Sequence, residues 1–243
     1  MKRWAPLAAV VAVLTLAATV ACGGQDEPRL TVLAAASLTD VLPSIDSEPR
    51  YSFAGSNTLA TQIREGAPVD VYVAANSRYP TALETEGLLV DIRVVAQNRL
   101  VIVVPPGNPA GIESVGDLVD PDLRIVVARE TVPVGEYTRD ALETLGITSA
   151  LDNVMSNEED VKAVVAKVVL GEVDAGIAYA TDVAPVGDRV ETVAIPEEAQ
   201  PQIDYLAGIV AKTSNLEEAR HFLDELASED GRSQLLAAGF LLP

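Results

Sequence analysis

Ala34-Ala35-Ala36-Ser37 and Phe53-Ala54-Gly55-Ser56 each close an apolar run with small residues and a serine, 19 positions apart. The runs before them, 30–35 and 51–54, read as short strands. The stretches after them, 38–42 and 57–64, read as helices. A helix start leaves backbone N–H groups without intrahelical acceptors, and a serine there adds a hydroxyl. Small residues let a ligand approach the backbone. Either serine alone reads equally as a simple N-cap. Two such junctions close together in an α/β pattern can face one anion.

The rest of the chain repeats the alternation. Strands are predicted at 69–75, 99–104, 123–128, 175–178, 190–195 and 205–211. Helices are predicted at 78–86, 135–145, 158–170, 216–227 and 231–238, with Gly87, Gly146 and Gly171 as stops. Strands alternating with helices predict an α/β fold of parallel sheets, whose ligands sit at the carboxyl ends of strands. Pro105-Pro106-Gly107-Asn108-Pro109 interrupts the pattern, and the chain returns near 201–205. Two Rossmann-like lobes are therefore expected, joined by two crossing strands with the ligand cleft between them. The first lobe is 29–103 plus 206–243, the second 104–205.

The beginning of the chain reads as an export signal. Lys2 and Arg3 precede an apolar run over 5–20, which predicts a signal peptide at 1–21. The run is short for a membrane span. Thr19-Val20-Ala21-Cys22 resembles a bacterial lipobox, with Thr19 where that pattern usually has leucine. Cys22 is the only cysteine and is expected to carry lipid, with 22–28 as a polar tether. The alternative is a plain secretory signal followed by a stray thiol. Removing Lys2 and Arg3 takes the net charge from −19 to −21. That excess disfavours nucleic acid and anionic lipid surfaces as partners. With one cysteine and one histidine, His221, a metal centre of the Cys/His type is not expected.

Two further junctions have the composition of an anion-binding helix start. Val132-Pro133-Val134-Gly135-Glu136-Tyr137 carries a glycine suited to a tight turn. Asn157-Glu158-Glu159-Asp160-Val161-Lys162 opens a helix whose acids suit the dipole; the same acids read equally as a solvated first turn. Tyr179 follows the strand Gly176-Ile177-Ala178 at a carboxyl-end rim, where a packing role is the alternative.

These motifs, with Leu38-Thr39-Asp40-Val41 after Ser37, Asn57-Thr58-Leu59-Ala60-Thr61-Gln62-Ile63 after Ser56, Gly66-Ala67-Pro68-Val69-Asp70-Val71, and Ala180-Thr181-Asp182 after Tyr179, run in one order over nearly the whole exported chain. In that order they resemble the molybdate-binding proteins of ABC importers. The resemblance implies a periplasmic-binding-protein fold of type II, a monomer closing on a tetrahedral oxyanion, and membrane subunits of an importer as partners. It implies molybdate or tungstate as ligand, no cofactor and no catalysis. It implies binding through hydroxyl and backbone N–H of Ser37 and Ser56, backbone N–H of Val134 and Val161, and the hydroxyl of Tyr179. With Cys22 lipidated, the protein belongs at the extracytoplasmic face of the cell membrane. The chain departs from the family between Ser37 and Phe53, where it is shorter and holds Pro43 and Pro49. A truncated first helix is expected there.

The expected chemistry is coherent. A fully deprotonated dianion takes only donors, so neutral hydroxyls and helix ends suffice, without the desolvation of a buried lysine or arginine. Phosphate at neutral pH keeps a proton and requires an acceptor. Sulfate or thiosulfate meets the same donor logic and stands as the alternative ligand. A serine hydrolase is the alternative of another class. It lacks a Gly-x-Ser-x-Gly turn at either serine, and its only histidine, His221, sits beside Phe222 in a predicted helix. An adhesive lipoprotein would bind no small anion.

Overall fold

The computed structural model describes residues 29–243, Met1 apart. The signal at 1–21, Cys22 and the tether 22–28 lie outside the described residues. Two five-stranded sheets carry the fold. The first holds β1 (Thr31–Ala35), β2 (Arg50–Ala54), β3 (Val71–Ala74), β4 (Leu89–Asn98) and β10 (Ile203–Val210), in the order β2-β1-β3-β10-β4. The second holds β5 (Leu100–Val104), β6 (Ile125–Ala128), β7 (Val154–Glu158), β8 (Ala175–Tyr179) and β9 (Glu191–Ala194), in the order β7-β6-β8-β5-β9.

The helices are α1 (Leu42–Ile45), α2 (Ser56–Arg64), α3 (Arg78–Thr85), α4 (Pro133–Thr144), α5 (Val161–Val169), α6 (Leu216–Ala227) and α7 (Glu229–Ala237). The central strands are continuous runs of buried apolar residues, Val-Tyr-Val-Ala in β3 and Ile-Val-Val-Ala in β6, which suits sheets covered on both faces. Short 3-10 turns fill several connections.

The α/β class and the two lobes agree with the expectation; the purely parallel sheets do not. Each sheet has three parallel strands and then an antiparallel one: β10 runs against β3 and β4, and β5 against β8 and β9. These antiparallel strands are the ones that carry the chain across. β5 pairs in the second sheet, so the lobes divide at Arg99 rather than after residue 103. β4 escaped the sequence pattern because it is an edge strand. It carries Asp91 and Arg93 on its exposed part and bends at Asp91, whose φ is 51°, features that protect sheet edges.

The two crossings are bound together. Gln200, in the return segment, accepts from the Leu100 N–H and donates to the Leu100 carbonyl, each at 2.8 Å. Beside them Phe240 packs edge-on against Tyr205, with ring centroids 5.3 Å apart. The first helix is indeed truncated. A 3-10 turn over Ala36–Leu38 precedes α1, which has four residues and holds Pro43 at its start.

Candidate functional site: an anion cleft between the lobes

Five strand ends converge where the lobes meet. The carboxyl ends of β1 and β2 face those of β6, β7 and β8 across a cleft lined by Ser37, Ser56, Val134, Val161 and Tyr179. Ala35, Gly55 and Asp160 complete its wall with other small or apolar residues.

Ser56 is the first residue of α2, whose N-cap is Gly55 and not the serine. Its hydroxyl does not cap the helix but accepts from the Ala75 N–H at 3.1 Å, so β3 holds it in place. The hydroxyl proton is left for the cleft. Ser37 likewise opens no long helix and makes no cap bond. It lies in the 3-10 turn with its Oγ 2.8 Å from the Tyr205 hydroxyl. Neither serine caps its own helix start; each is held by a tertiary bond instead.

The second lobe supplies helix starts. In α4 the first helical residue is Pro133, which has no N–H, and Glu136 N–H already reaches the Val132 carbonyl. Val134 and Gly135 N–H therefore remain without intrahelical acceptors. A Cβ at Gly135 would collide with the carbonyls of Ala128 and Arg129, so glycine lets this helix start press against the end of β6. The fourth junction differs from its expected form: 154–158 pairs as β7, and α5 begins only at Val161. Asp160 is its N-cap, accepting from Ala163 N–H at 2.9 Å. That leaves the Val161 and Lys162 N–H groups open.

Tyr179 is fully buried, and its hydroxyl has no hydrogen-bond partner among the described residues. Burial, with Tyr205 nearby, pushes its pKa well above the usual tyrosine value, so the group is a donor. A buried donor without an acceptor costs about 1–3 kcal/mol, which a bound acceptor would relieve. Among the described residues no lysine or arginine lines the cleft, and its one charge is the Asp160 carboxylate, held at a helix N-terminus.

The cleft is shut and small. Its volume is about 10 Å³, counted as room for the centre of a water molecule. Contacts between lobes close the rim: Tyr79 hydroxyl donates to the Thr131 carbonyl, Arg78 pairs with Glu136 at 3.2 Å, and Lys162 pairs with Asp40 at 2.7 Å. Lys162 also lies 3.4 Å from the buried Asp182 carboxylate. Burial pulls the Lys162 pKa down, but Asp182 and Asp40 outweigh it and leave it raised.

The chain has relatives among known proteins. A model of the bacterial extracellular solute-binding protein family matches residues 30–241. The chain belongs to this family. It is 33% identical to the molybdate-binding protein ModA of Mycobacterium tuberculosis H37Rv, over 99% of this chain and all of that one. The periplasmic molybdate-binding protein of Azotobacter vinelandii has the same fold, at a TM-score of 0.79 and 20% identity, covering 88% of this chain and 100% of that one. So has the sulfate-binding protein SubI of M. tuberculosis, at 0.75 and 17%, covering 87% and 86%. The protein is thus an extracytoplasmic binding protein and not an enzyme. His221 is exposed on α6, where its neighbour is Glu225.

Three contributors to the site were not foreseen. Tyr205 and Asn98, which hold Ser37, are 168 and 61 positions away from it. Gly55 was quoted as a small residue, but nothing local indicates what it faces. No sequence signal short of the fold itself identifies these partners.

Proposed function

We propose that this protein captures molybdate, and its close analogue tungstate, between its two lobes and delivers it to the membrane subunits of an ABC importer. It acts as a monomer held at the extracytoplasmic membrane face by lipid on Cys22. The anion is cargo, and no cofactor takes part. The observation that carries the reading is the buried Tyr179 hydroxyl, which lacks a partner in a cleft of donors without a cation. Ser37, Ser56 and Tyr179 would donate from hydroxyls, and Val134 and Val161 from helix starts. The local dipoles oppose the long-range field of an acidic chain, so affinity rests on short contacts. The closed cleft suits a small tetrahedral anion.

Sulfate is the second reading, favoured by the shared fold of a sulfate-binding protein. Calorimetric titration of the purified protein with molybdate, tungstate, sulfate and phosphate decides between them. Molybdate and tungstate are expected to bind tightest, and a preference for sulfate would replace the first reading with the second.

A further inference from the structure

The bonds behind Ser37 determine which way its proton points. Asn98 ends β4 at the crossing between lobes and is buried. Its Oδ1 accepts from the Arg99 N–H at 2.9 Å. A backbone N–H only donates, so the amide orientation is settled. The Nδ2 group then faces the Thr181 hydroxyl at 2.9 Å and the Tyr205 hydroxyl at 3.2 Å. Tyr205 has no exposed surface. It accepts from Asn98, and its own proton has one acceptor within reach, Ser37 Oγ at 2.8 Å. The reverse arrangement, Ser37 donating to Tyr205, would bury the tyrosine proton without an acceptor, at a cost of the order of a whole hydrogen bond. Ser37 therefore accepts from behind and turns its proton into the cleft.

We infer that Asn98 and Tyr205 are positioning residues that lock Ser37 as a donor and so select fully deprotonated oxyanions over protonated ones. The inference rests on the oxyanion reading above. A ligand that carries a proton needs an acceptor; Ser37, with its own proton turned into the cleft, does not face the ligand as one, and the Asp160 carboxylate on the wall already accepts from the Ala163 N–H. Asn98 also ties the arrangement to the second lobe through Thr181.

The test compares molybdate with phosphate at pH 7 by calorimetry, using the full chain purified in mild detergent. In Tyr205→Phe, Ser37 loses its rear donor and becomes free to accept from the ligand. Molybdate affinity is expected to fall about tenfold, the worth of one hydrogen bond. Phosphate affinity is expected to hold or rise, so the preference narrows about tenfold or more. Equal losses for both anions would make Tyr205 a packing residue and overturn the inference. If Tyr205→Phe does not fold, Asn98→Ser, which removes the amide donor, is expected to narrow the preference about threefold, and an unchanged preference there overturns it. A wild-type protein that binds both anions equally also overturns it while leaving the oxyanion reading intact. Binding neither anion removes the oxyanion reading itself.

Discussion

Gly55 of the first lobe lies against the carbonyl of Glu159 of the second, so closely that a Cβ on Gly55 would sit 2.5 Å from that oxygen. The backbone at Gly55 does not require glycine: φ is −60° and ψ is 136°, a conformation open to any residue. The backbone oxygen that a Cβ would meet belongs to the other lobe; Asn57 Oδ1 of the same lobe, 2.7 Å from that position, is the end of a side chain that can turn away. Gly55→Ala is therefore expected to leave the ligand-free protein as stable as before, or slightly more so through lower chain entropy. Molybdate affinity should drop by tenfold or more, because closure must push Glu159 aside. Calorimetry and thermal unfolding, each with and without molybdate, separate the two effects. Unchanged affinity would mean that the cleft does not need to shut this far.

The hydroxyls at the cleft lend themselves to single-atom removal. Tyr179→Phe deletes a buried donor that has no partner within the protein. Its unfolding midpoint without ligand should not fall, and its molybdate affinity should weaken by about 1–3 kcal/mol. Ser37→Ala and Ser56→Ala should weaken binding by a similar amount. Both should in addition lower stability, since the Ala75 N–H loses its acceptor in Ser56→Ala and the buried Tyr205 hydroxyl loses its acceptor in Ser37→Ala. Wild-type affinity in all three variants would place the anion elsewhere.

What the sequence discloses and what it hides divide along one physical line. The serine junctions, the glycine before α4 and the strand-end tyrosine are legible because small residues, caps and strand ends are local events. Their gathering at one cleft follows from the carboxyl-end rule for α/β sheets. The fixing of Ser37 by Tyr205 and Asn98 depends on antiparallel strands that return to the first sheet from a distance, and no local pattern encodes such a return. The same strands upset the expectation of parallel sheets. β7 and the delayed start of α5 were hidden for another reason: Val154–Glu158 is a polar edge strand, and pairing with β6 overrides its weak β propensity.

The rim pair Arg78–Glu136 is half exposed on the arginine side, so its contribution to closure is small. Arg78→Gln is expected to weaken molybdate binding by about two- to fivefold, the range of an exposed pair. The effect should shrink as salt rises from 0.01 M to 1 M, where screening shortens to about 3 Å. Stopped-flow kinetics should assign the loss to faster release, since the pair forms only in the shut state. A loss that persists unchanged at high salt would instead assign Arg78 a packing role, through its stacking over the Tyr79 ring.

Asp182 gives the stability an unusual pH dependence. Burial pushes its carboxyl up to about 7, against the pull of Lys162 and with Asp40 and Asp160 adding to the rise. Its ordinary value in the unfolded chain is about 3.9. Between those values the folded protein holds a proton that the unfolded chain has released. Asp182 therefore favours the fold fully below about pH 4, and this contribution is lost as pH rises through about 7. Carboxylates held low by arginines, such as Asp91 by Arg93 and Asp174 by Arg124, act in the opposite sense. Their contribution is complete once the pH is above the unfolded carboxylate range. Denaturant unfolding between pH 5 and pH 8 thus isolates Asp182, and stability should decline across that window. In Asp182→Asn the decline should flatten, with Lys162 still paired to Asp40. Equal slopes in the two proteins would mean that Lys162 keeps Asp182 ionised throughout.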